Sequence, residues 1–296
     1  MRAALLEASE KPLTIVDDID IQDGQVKGVR LASGEYIESD HVVLAVGHSA
    51  RDTFQMLYER GYRPVTVAEL VDGAIDLPAG TSPVVFTFDD SSPSQFRYIE
   101  RDGQLEIDPT SAVGIWLDFA KTKPDWGNKA VFCMLSGAEA GRSFFGNKGI
   151  EGQRSEWRFQ KVRFLAEQGF ELCNHTLWHA NLAKYDDARV QEQIARGVMA
   201  IDSAVPGYRV RSFALPLGVW PVNRGLAKTG SWTDPRTKRV VRYDFDAILE
   251  VAGVPNPAPG TPHFDPLSLD RLQIGVARSP VHDRRELRLQ MHRTIR

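Results

Sequence analysis

Short apolar runs that end in polar residues recur along this chain. Residues 84–88 are apolar at nearly every position, which is typical of a strand buried on both faces. Asp89 and Asp90 follow that run directly. We therefore expect both carboxylates at the carboxyl end of a buried strand, where α/β folds place their active sites.

The pattern recurs downstream. Residues 155–168 read as a helix and residues 169–173 as a short strand, which delivers His175 just past its end. His179 follows four residues later, and side chains at that spacing share a helix face about 5–6 Å apart. Two carboxylates and two imidazoles supply a base and three ligands for a divalent cation, which is the chemistry of metal-assisted hydrolysis.

The remaining periodicity indicates a repeated β/α layout. A helix is predicted over residues 186–204, with Val190, Ile194, Val198 and Ile201 on one face behind candidate capping aspartates. Strands are predicted at residues 210–215, 247–252 and 272–277. Residues 23–37 alternate around glycine turns and predict a β-meander that leads into a buried run at 42–47.

Two sequence motifs in this chain resemble those of a known family. Residues 87–90 read T-F-D-D and residues 175–179 read H-T-L-W-H. Residues 61–296 resemble the polysaccharide deacetylases of carbohydrate esterase family four, which carry a NodB homology domain. The stretches 61–70 and 208–218 are also similar to that family. The resemblance implies a distorted (β/α) barrel that hydrolyses N-acetyl or O-acetyl groups on a glycan, such as a chitin-like polymer or peptidoglycan.

The resemblance also implies roles for individual residues. Asp89 corresponds to the general base, and Asp90, His175 and His179 correspond to ligands of a divalent metal, most commonly zinc. Such a metal polarises the acetamide carbonyl and lowers the pKa of its water toward 7, so an adjacent carboxylate has one proton to remove.

The third motif departs from the family pattern R-x-P-Y-G, since Ala214 stands at the arginine and Leu217 at the tyrosine. Arg211 is a possible substitute for the guanidinium that pairs with the catalytic aspartate. The backbone N–H of Leu217 can still serve an oxyanion hole, because that role needs no side chain. Trp178 and Trp220 flank the predicted site and are candidates to stack on a sugar ring, or else belong to the core.

Residues 1–60 resemble a fragment of an FAD-dependent dehydrogenase rather than a deacetylase. The chain contains no G-x-G-x-x-G turn, which a complete dinucleotide-binding unit would need. We therefore expect a chimera joined near residues 58–61, where Ser49 and Asp52 suggest a helix start and Gly61 its end. The competing interpretation is one natural domain whose first barrel strand is 42–46.

Composition and net charge limit the classes of partner that we expect this chain to bind. The 296 residues are 42% hydrophobic and 25% charged, enough for one large core with a small appendage, and the net charge is −3. Without a basic field we expect neither DNA nor RNA as a partner. Arginines cluster near the carboxyl terminus, either as a solvated helix face or as a contact for an anionic polymer: Arg278, Arg284, Arg285, Arg288 and Arg293.

The cysteines and the amino terminus indicate the compartment in which we expect this protein. Only Cys133 and Cys173 are present, both in apolar contexts, so we expect structural thiols and no disulfide framework. The first residues do not form a signal peptide, and no run approaches the about 18 apolar residues of a membrane span. A soluble, unexported chain is expected, although the resembled family usually acts outside the cytoplasm; a lost or replaced amino terminus would reconcile the two.

Three other functions stay open. A metal-binding but catalytically impaired homologue would retain zinc without deacetylating a glycan. A flavin oxidoreductase would be yellow on purification. A sugar-binding module would bind oligosaccharide whether or not a chelator is present.

The leaving amine needs a proton donor, which the resembled family supplies from a histidine in its fifth motif. Residues 272–277 contain no histidine, and His282 is the nearest one; alternatively it is a surface histidine beside Asp283. If His282 is the acid, His282→Ala lowers turnover sharply while the metal content stays constant. Unchanged turnover in that variant would exclude the assignment.

Overall fold

The structure is a computed structural model, which describes residues 16–22, 25–31, 36–38, 50–137, 143–251, 256–274 and 289–293. The strands are β1 (Val16–Gln22), β2 (Gln25–Leu31), β3 (Tyr36–Glu38), β4 (Tyr62–Pro64), β5 (Ser82–Asp89), β6 (Tyr98–Arg101), β7 (Gln104–Ile107), β8 (Val131–Met134), β9 (Glu171–Asn174), β10 (Ser212–Ala214), β11 (Thr229–Thr233), β12 (Val240–Asp244), β13 (Ala247–Leu249), β14 (Leu272–Ile274) and β15 (Leu289–Arg293). The helices are α1 (Ala50–Glu59), α2 (Val67–Asp72), α3 (Ala112–Thr122), α4 (Arg158–Glu167), α5 (Asp187–Ala204) and α6 (Gly225–Lys228).

The main sheet confirms the predicted α/β fold class. Its strands run in the order β13-β10-β9-β8-β5, and β4 also pairs with β5. All of these pairs are parallel, and helices α3, α4 and α5 connect successive strands from β5 to β10. The sheet is curled into a half-barrel, as expected of a distorted (β/α) barrel.

The two faces of this sheet bury different side chains. The face covered by α1, α3, α4 and α5 carries large aromatic residues, including Phe86, Phe88 and Phe132. The opposite, inner face carries smaller ones, such as Val131 and Ala214. Because alternate strand residues point to opposite faces, Asp89 shares the inner face with Val85. Asp89 is also the last residue of β5, so the candidate site lies where the inner face reaches the carboxyl ends of the strands.

The amino-terminal part of the chain contains the predicted meander, a three-stranded antiparallel sheet formed by β1, β2 and β3. The buried run at 42–47 and the Ser49 cap lie outside the described residues. Helix α1 packs against the body of the molecule, with Phe54 buried between Phe86 and Trp116. The division at residue 60 and the chimeric origin of the chain stay predictions.

Several predicted elements are present with shifted bounds. The helix expected at 186–204 is α5, with Asp186 as its N-cap and with Val190, Ile194 and Ile201 buried. The predicted carboxyl-terminal helix face is wrong in part, since Arg293 belongs to β15, which pairs antiparallel with β5. No helix within the described ranges is long and apolar enough to cross a membrane.

The expectation of two free structural thiols is wrong. Cys133 and Cys173 form a disulfide, with their Cα atoms 4.1 Å apart. The cause is strand register: β8 and β9 are parallel neighbours, and their pairing places these two residues directly opposite each other. A separation of 40 residues in sequence gives no sign of that pairing.

Lys161 is fully buried in α4, and its ammonium group donates hydrogen bonds to Phe145 O (2.8 Å) and Gln153 Oε1 (2.7 Å). Burial, helped by the nearby charge of Arg97, lowers the pKa of Lys161 from 10.5 to about 7. The unfolded chain therefore binds a proton that the folded chain releases between those two values. Consequently this lysine makes the folded state more stable as the pH rises above about 7.

We expect the free energy of unfolding to rise between pH 7 and 9.5 more steeply in the parent than in Lys161→Met. The change removes the titrating amine of Lys161, so the difference between the two slopes isolates the contribution of that group. Urea unfolding at several pH values measures both. Equal slopes would contradict the buried position of this lysine.

Candidate metal centre and active site

Asp89 and Asp90 lie at the carboxyl end of β5, as predicted. Asp89 is the last residue of the strand and is buried. Asp90 and Ser91 then adopt left-handed backbone angles, with φ of 75° and 50°. Such angles are unfavourable outside glycine and persist where the surroundings hold them, here through Leu135 N, which donates to Ser91 Oγ. Asp90 therefore lies on a turn just past the strand end, next to the buried carboxylate of Asp89.

His175 follows β9 and is almost completely buried. Its Nδ1 lies 2.8 Å from the carbonyl oxygen of Ala214, so the other ring nitrogen, Nε2, faces the site. Asn174 fixes this corner from the opposite face, because its side chain accepts from Thr176 N and donates to the Ile194 carbonyl of α5. The orientation of the imidazole is thus set by two neighbouring elements.

His179 reaches the site by a different route from the one predicted. The segment after β9 is a turn and not a helix, and both Thr176 and His179 have positive φ, at 69° and 58°. The Thr176 hydroxyl accepts a hydrogen bond from His179 N, which closes the turn. The prediction that the two histidines share a helix face is therefore wrong, although the turn does bring their rings together, with centroids 4.9 Å apart.

Three ligand atoms converge at this point. Asp90 Oδ1 lies 3.4 Å from both His175 Nε2 and His179 Nε2. The ligand atoms of the three residues all lie within 4.8 Å of one another. One carboxylate oxygen and two imidazole nitrogens form a donor set that suits zinc and leave part of its coordination open. The residues present therefore fit a divalent cation.

The charge around His175 also favours a cation. Burial by itself lowers the pKa of His175, but the carboxylates of Asp89 and Asp90 outweigh it, so the pKa lies above its ordinary value. Two negative groups beside a buried imidazole thus stabilise positive charge at this point. A proton and a metal ion compete for the same imidazole, since a ligating histidine is neutral.

Asp89 has a different environment from Asp90. Arg271, which is fully buried, donates from Nη1 to Asp89 Oδ1 at 2.8 Å, and its Nε donates to the carbonyl of Glu250. Asp89 Oδ2 points toward the ligands and lies 3.9 Å from His175 Nε2. The side-chain amide of Gln95 donates to the Asp89 carbonyl oxygen. Asp89 is therefore held by one oxygen, and its other oxygen faces the centre.

The sequence patterns did not identify Arg271 as a site residue. Arg211, which the sequence analysis offered as the guanidinium that pairs with Asp89, does not take that role. Arg211 pairs with Asp72 and Asp246, and it precedes β10, whereas the site lies past the other end of that strand. Arg271 immediately precedes β14. Its position before a predicted strand was visible, but only the folded sheet shows that it reaches β5.

The other predicted site residues follow the carboxyl ends of β9 and β10, which we call the rim, or lie outside the described residues. Leu217 is exposed in the turn after β10 with φ of 60°, and Trp178 is 41% exposed beside the metal ligands in sequence. Trp220 is half-buried, with the Arg224 guanidinium 4.0 Å from its ring centroid. His282 lies outside the described residues.

Comparison with known proteins shows which family and which relatives parts of this chain are similar to. Residues 124–229 match the family model described as polysaccharide deacetylase. That range holds both histidines and the third motif, and Asp89 and Asp90 precede it. A chitooligosaccharide deacetylase of Sinorhizobium fredii (strain NBRC 101917 / NGR234) is 28% identical over 148 residues, which cover 48% of this chain and 66% of the relative. One of Bradyrhizobium sp. (strain ANU 289) is 30% identical over 82 residues, covering 25% and 37%.

The chain thus spans less than two thirds of the length of these relatives. Among solved structures, the Streptococcus pyogenes deacetylase PplD in complex with acetate has a TM-score of 0.49 and 16% identity, covering 78% of this chain and 83% of that one. A polysaccharide deacetylase of Bacillus cereus has a TM-score of 0.46 and 14% identity, covering 84% and 72%. The family match covers part of this chain, and both curated relatives are chitooligosaccharide deacetylases.

Replacing Arg271 by methionine should reduce any hydrolytic turnover by about 10²-fold, because the buried carboxylate of Asp89 loses the donor that fixes it. Bound metal should stay stoichiometric, since Asp90 and the histidines are unchanged. Arg211→Met is the matched control and should retain turnover per folded molecule. Equal losses in both variants would contradict the specific role of Arg271.

Proposed function

We propose that this chain is a divalent-metal-dependent deacetylase that hydrolyses N-acetyl or O-acetyl groups on a glycan. The observation that carries the proposal is the convergence of Asp90, His175 and His179 beside a separately anchored Asp89. The family match and the two curated relatives, both chitooligosaccharide deacetylases, support the reaction and the substrate class.

In this proposal Asp90, His175 and His179 hold the cation, with zinc as the first candidate because imidazole nitrogen and carboxylate oxygen are its usual ligands. A divalent cation in this position supplies Lewis acidity toward the acyl carbonyl and lowers the pKa of water. The buried position of His175 and its bond to Ala214 O keep Nε2 directed at the centre before any ligand binds.

Asp89 is the proposed general base. With Oδ1 anchored by Arg271, its Oδ2 can take the proton of a water molecule as that water attacks the acyl carbon. Collapse of the resulting tetrahedral species breaks the bond from the acyl carbon to nitrogen and releases acetate and the amine. The amine must take up a proton as it leaves, and His282 stays the proposed donor.

Substrate contacts are proposed for three rim residues. Trp178, which adjoins His179 in sequence, is 41% exposed, and Trp220 is the second aromatic candidate to stack on a sugar ring. The backbone N–H of Leu217, in its left-handed turn, is the proposed oxyanion donor. An acetylated, chitin-like glycan or peptidoglycan fits a rim with aromatic and polar groups, and the relatives, which are chitooligosaccharide deacetylases, favour the chitin-like glycan.

A second candidate is a catalytically impaired homologue that binds metal or sugar. The observation that favours it is the third motif, in which Ala214 and Leu217 replace the usual arginine and tyrosine. Arg271 weakens this alternative, because it supplies Asp89 with a guanidinium from another part of the chain. The two candidates differ in turnover and not in metal content.

The deciding experiment measures acetate released from a panel of acetylated chito-oligosaccharides, together with the metal content of each protein. We expect turnover in the parent, loss of turnover with metal retained in Asp89→Asn, and loss of both in His175→Ala. The matched controls are Asp76→Asn and His263→Ala, which change an exposed aspartate and an exposed histidine. Both controls should behave as the parent does.

Each other outcome excludes part of the proposal. A folded, metal-loaded parent that releases no acetate would support the impaired homologue. Acetate release that survives His175→Ala would contradict the ligand assignment, and release that survives Asp89→Asn would contradict the base.

A further inference from the structure

A row of three side chains crosses the inner face of the sheet just below the metal centre. Asp89 of β5 is the register partner of Cys133 of β8, and Cys133 is the partner of Cys173 of β9. The two cysteines are fully buried and joined as a disulfide. The only crosslink among the described residues therefore lies in the same layer as the proposed base.

The crosslink is also adjacent to a proposed ligand. Cys173 lies on the inner face of β9, two residues before His175, which follows the end of that strand. Movement of β9 at Cys173 would carry His175 with it. On the other side, Asp90 follows Asp89 directly at the end of β5. The disulfide thus links the strand that precedes His175 to the strand that lies beside the two aspartates.

Strand spacing gives the link a physical effect. Neighbouring strands usually lie about 4.7–4.9 Å apart. The Cα atoms of Cys133 and Cys173 are 4.1 Å apart, so β8 and β9 approach more closely where they are crosslinked. Without the bond, the two sulfur atoms would separate to ordinary non-bonded contact, and the strands would relax toward the usual spacing.

That relaxation would change the short distance between two of the proposed ligand atoms. His175 Nε2 lies 3.4 Å from Asp90 Oδ1, and both atoms must reach one cation. On the β10 side, His175 is held by the bond from Nδ1 to the Ala214 carbonyl. On the β8 side, His175 N donates to the Met134 carbonyl oxygen at 3.1 Å, and the disulfide adds a covalent link two residues earlier. A shift of β9 would therefore change the geometry of the ligands even though no ligand is altered.

We infer that the Cys133–Cys173 disulfide is a positioning element of the metal centre, which sets the separation between His175 and the aspartates of β5. This inference rests on the proposed function, because it concerns the affinity of that same site for its cation. The cysteines do not contact the reacting atoms, and they act through the strands that carry the ligands. Partners of metal ligands commonly change metal affinity by about 10–100-fold when they are removed.

The test measures metal affinity rather than turnover. Co²⁺ and Zn²⁺ dissociation constants are determined by competition with a chromophoric chelator for the parent and for the double variant Cys133→Ala/Cys173→Ala. We expect the dissociation constants to rise by about tenfold or more, with a changed visible spectrum of the Co²⁺ protein. Val131→Ala is the matched control, because it removes buried volume from the same inner cluster one layer away from the crosslink. It should bind metal as the parent does.

Reduction of the parent gives a second route that does not depend on the variant folding. A trialkylphosphine and one water convert the disulfide into two thiols, and the phosphine is oxidised to its oxide. The reduced protein, freed of phosphine without oxygen, should bind Co²⁺ as weakly as the double variant. Circular dichroism shows whether both proteins keep the parent fold.

The inference would be overturned by parent-like dissociation constants and Co²⁺ spectra in the folded double variant or in the reduced protein. Two free thiols in protein purified without reductant would also overturn it. A parent that binds metal but releases no acetate would refute the proposed deacetylation and leave this inference intact, since its readout is metal affinity.

Discussion

The parallel register of β5, β8 and β9 is the constraint on which the candidate site depends. It brings the carboxyl ends of β5 and β9 to one edge of the sheet, so His175 meets Asp89 and Asp90 although it is far from them in sequence. The same register places Cys133 opposite Cys173. A slip of one residue would turn each of these side chains to the other face, where large aromatic residues are packed.

The site is assembled from backbone that is locally unfavourable. Asp90, Ser91, Thr176, His179 and Leu217 all have positive φ, and each such residue costs on the order of 1–3 kcal/mol. Hydrogen bonds hold two of these turns: Leu135 N donates to Ser91 Oγ in a buried bond, and His179 N donates to Thr176 Oγ in a partly buried one. The rigid sheet and its aromatic core supply the stability that offsets this strain. The strand ends and these turns together bring the three ligand atoms to one point.

Much of this arrangement could be predicted from local patterns. The apolar run of β5 located Asp89 and Asp90 at a strand end, and the periodicity of α5 located its buried face, because both signals depend on neighbouring residues. Three features could not be predicted. The turn that carries His179 depends on left-handed backbone, and the disulfide depends on the register of two strands. Arg271 reaches Asp89 from a segment 182 residues later, and no spacing rule connects the two.

Arg271 also shows that a guanidinium expected at one position of a motif can come from another part of the chain. Ala214 occupies the position where the resembled family has its guanidinium, which by itself suggests an impaired site. Ala214 instead contributes its carbonyl oxygen to His175, and Arg271 provides the charge beside Asp89. The chemistry depends on where the guanidinium lies in space. A motif read along the sequence does not record that position.

The measurement that tests the proposed metal centre most directly is X-ray absorption of the zinc-loaded protein. The account predicts a shell of nitrogen and oxygen atoms at about 2.0–2.1 Å, with the outer-shell scattering of two imidazoles from His175 and His179. The same spectrum of His179→Ala should show one imidazole fewer. A sulfur atom at about 2.3 Å, or a shell with no imidazole, would contradict the assignment of Asp90, His175 and His179 as the ligands.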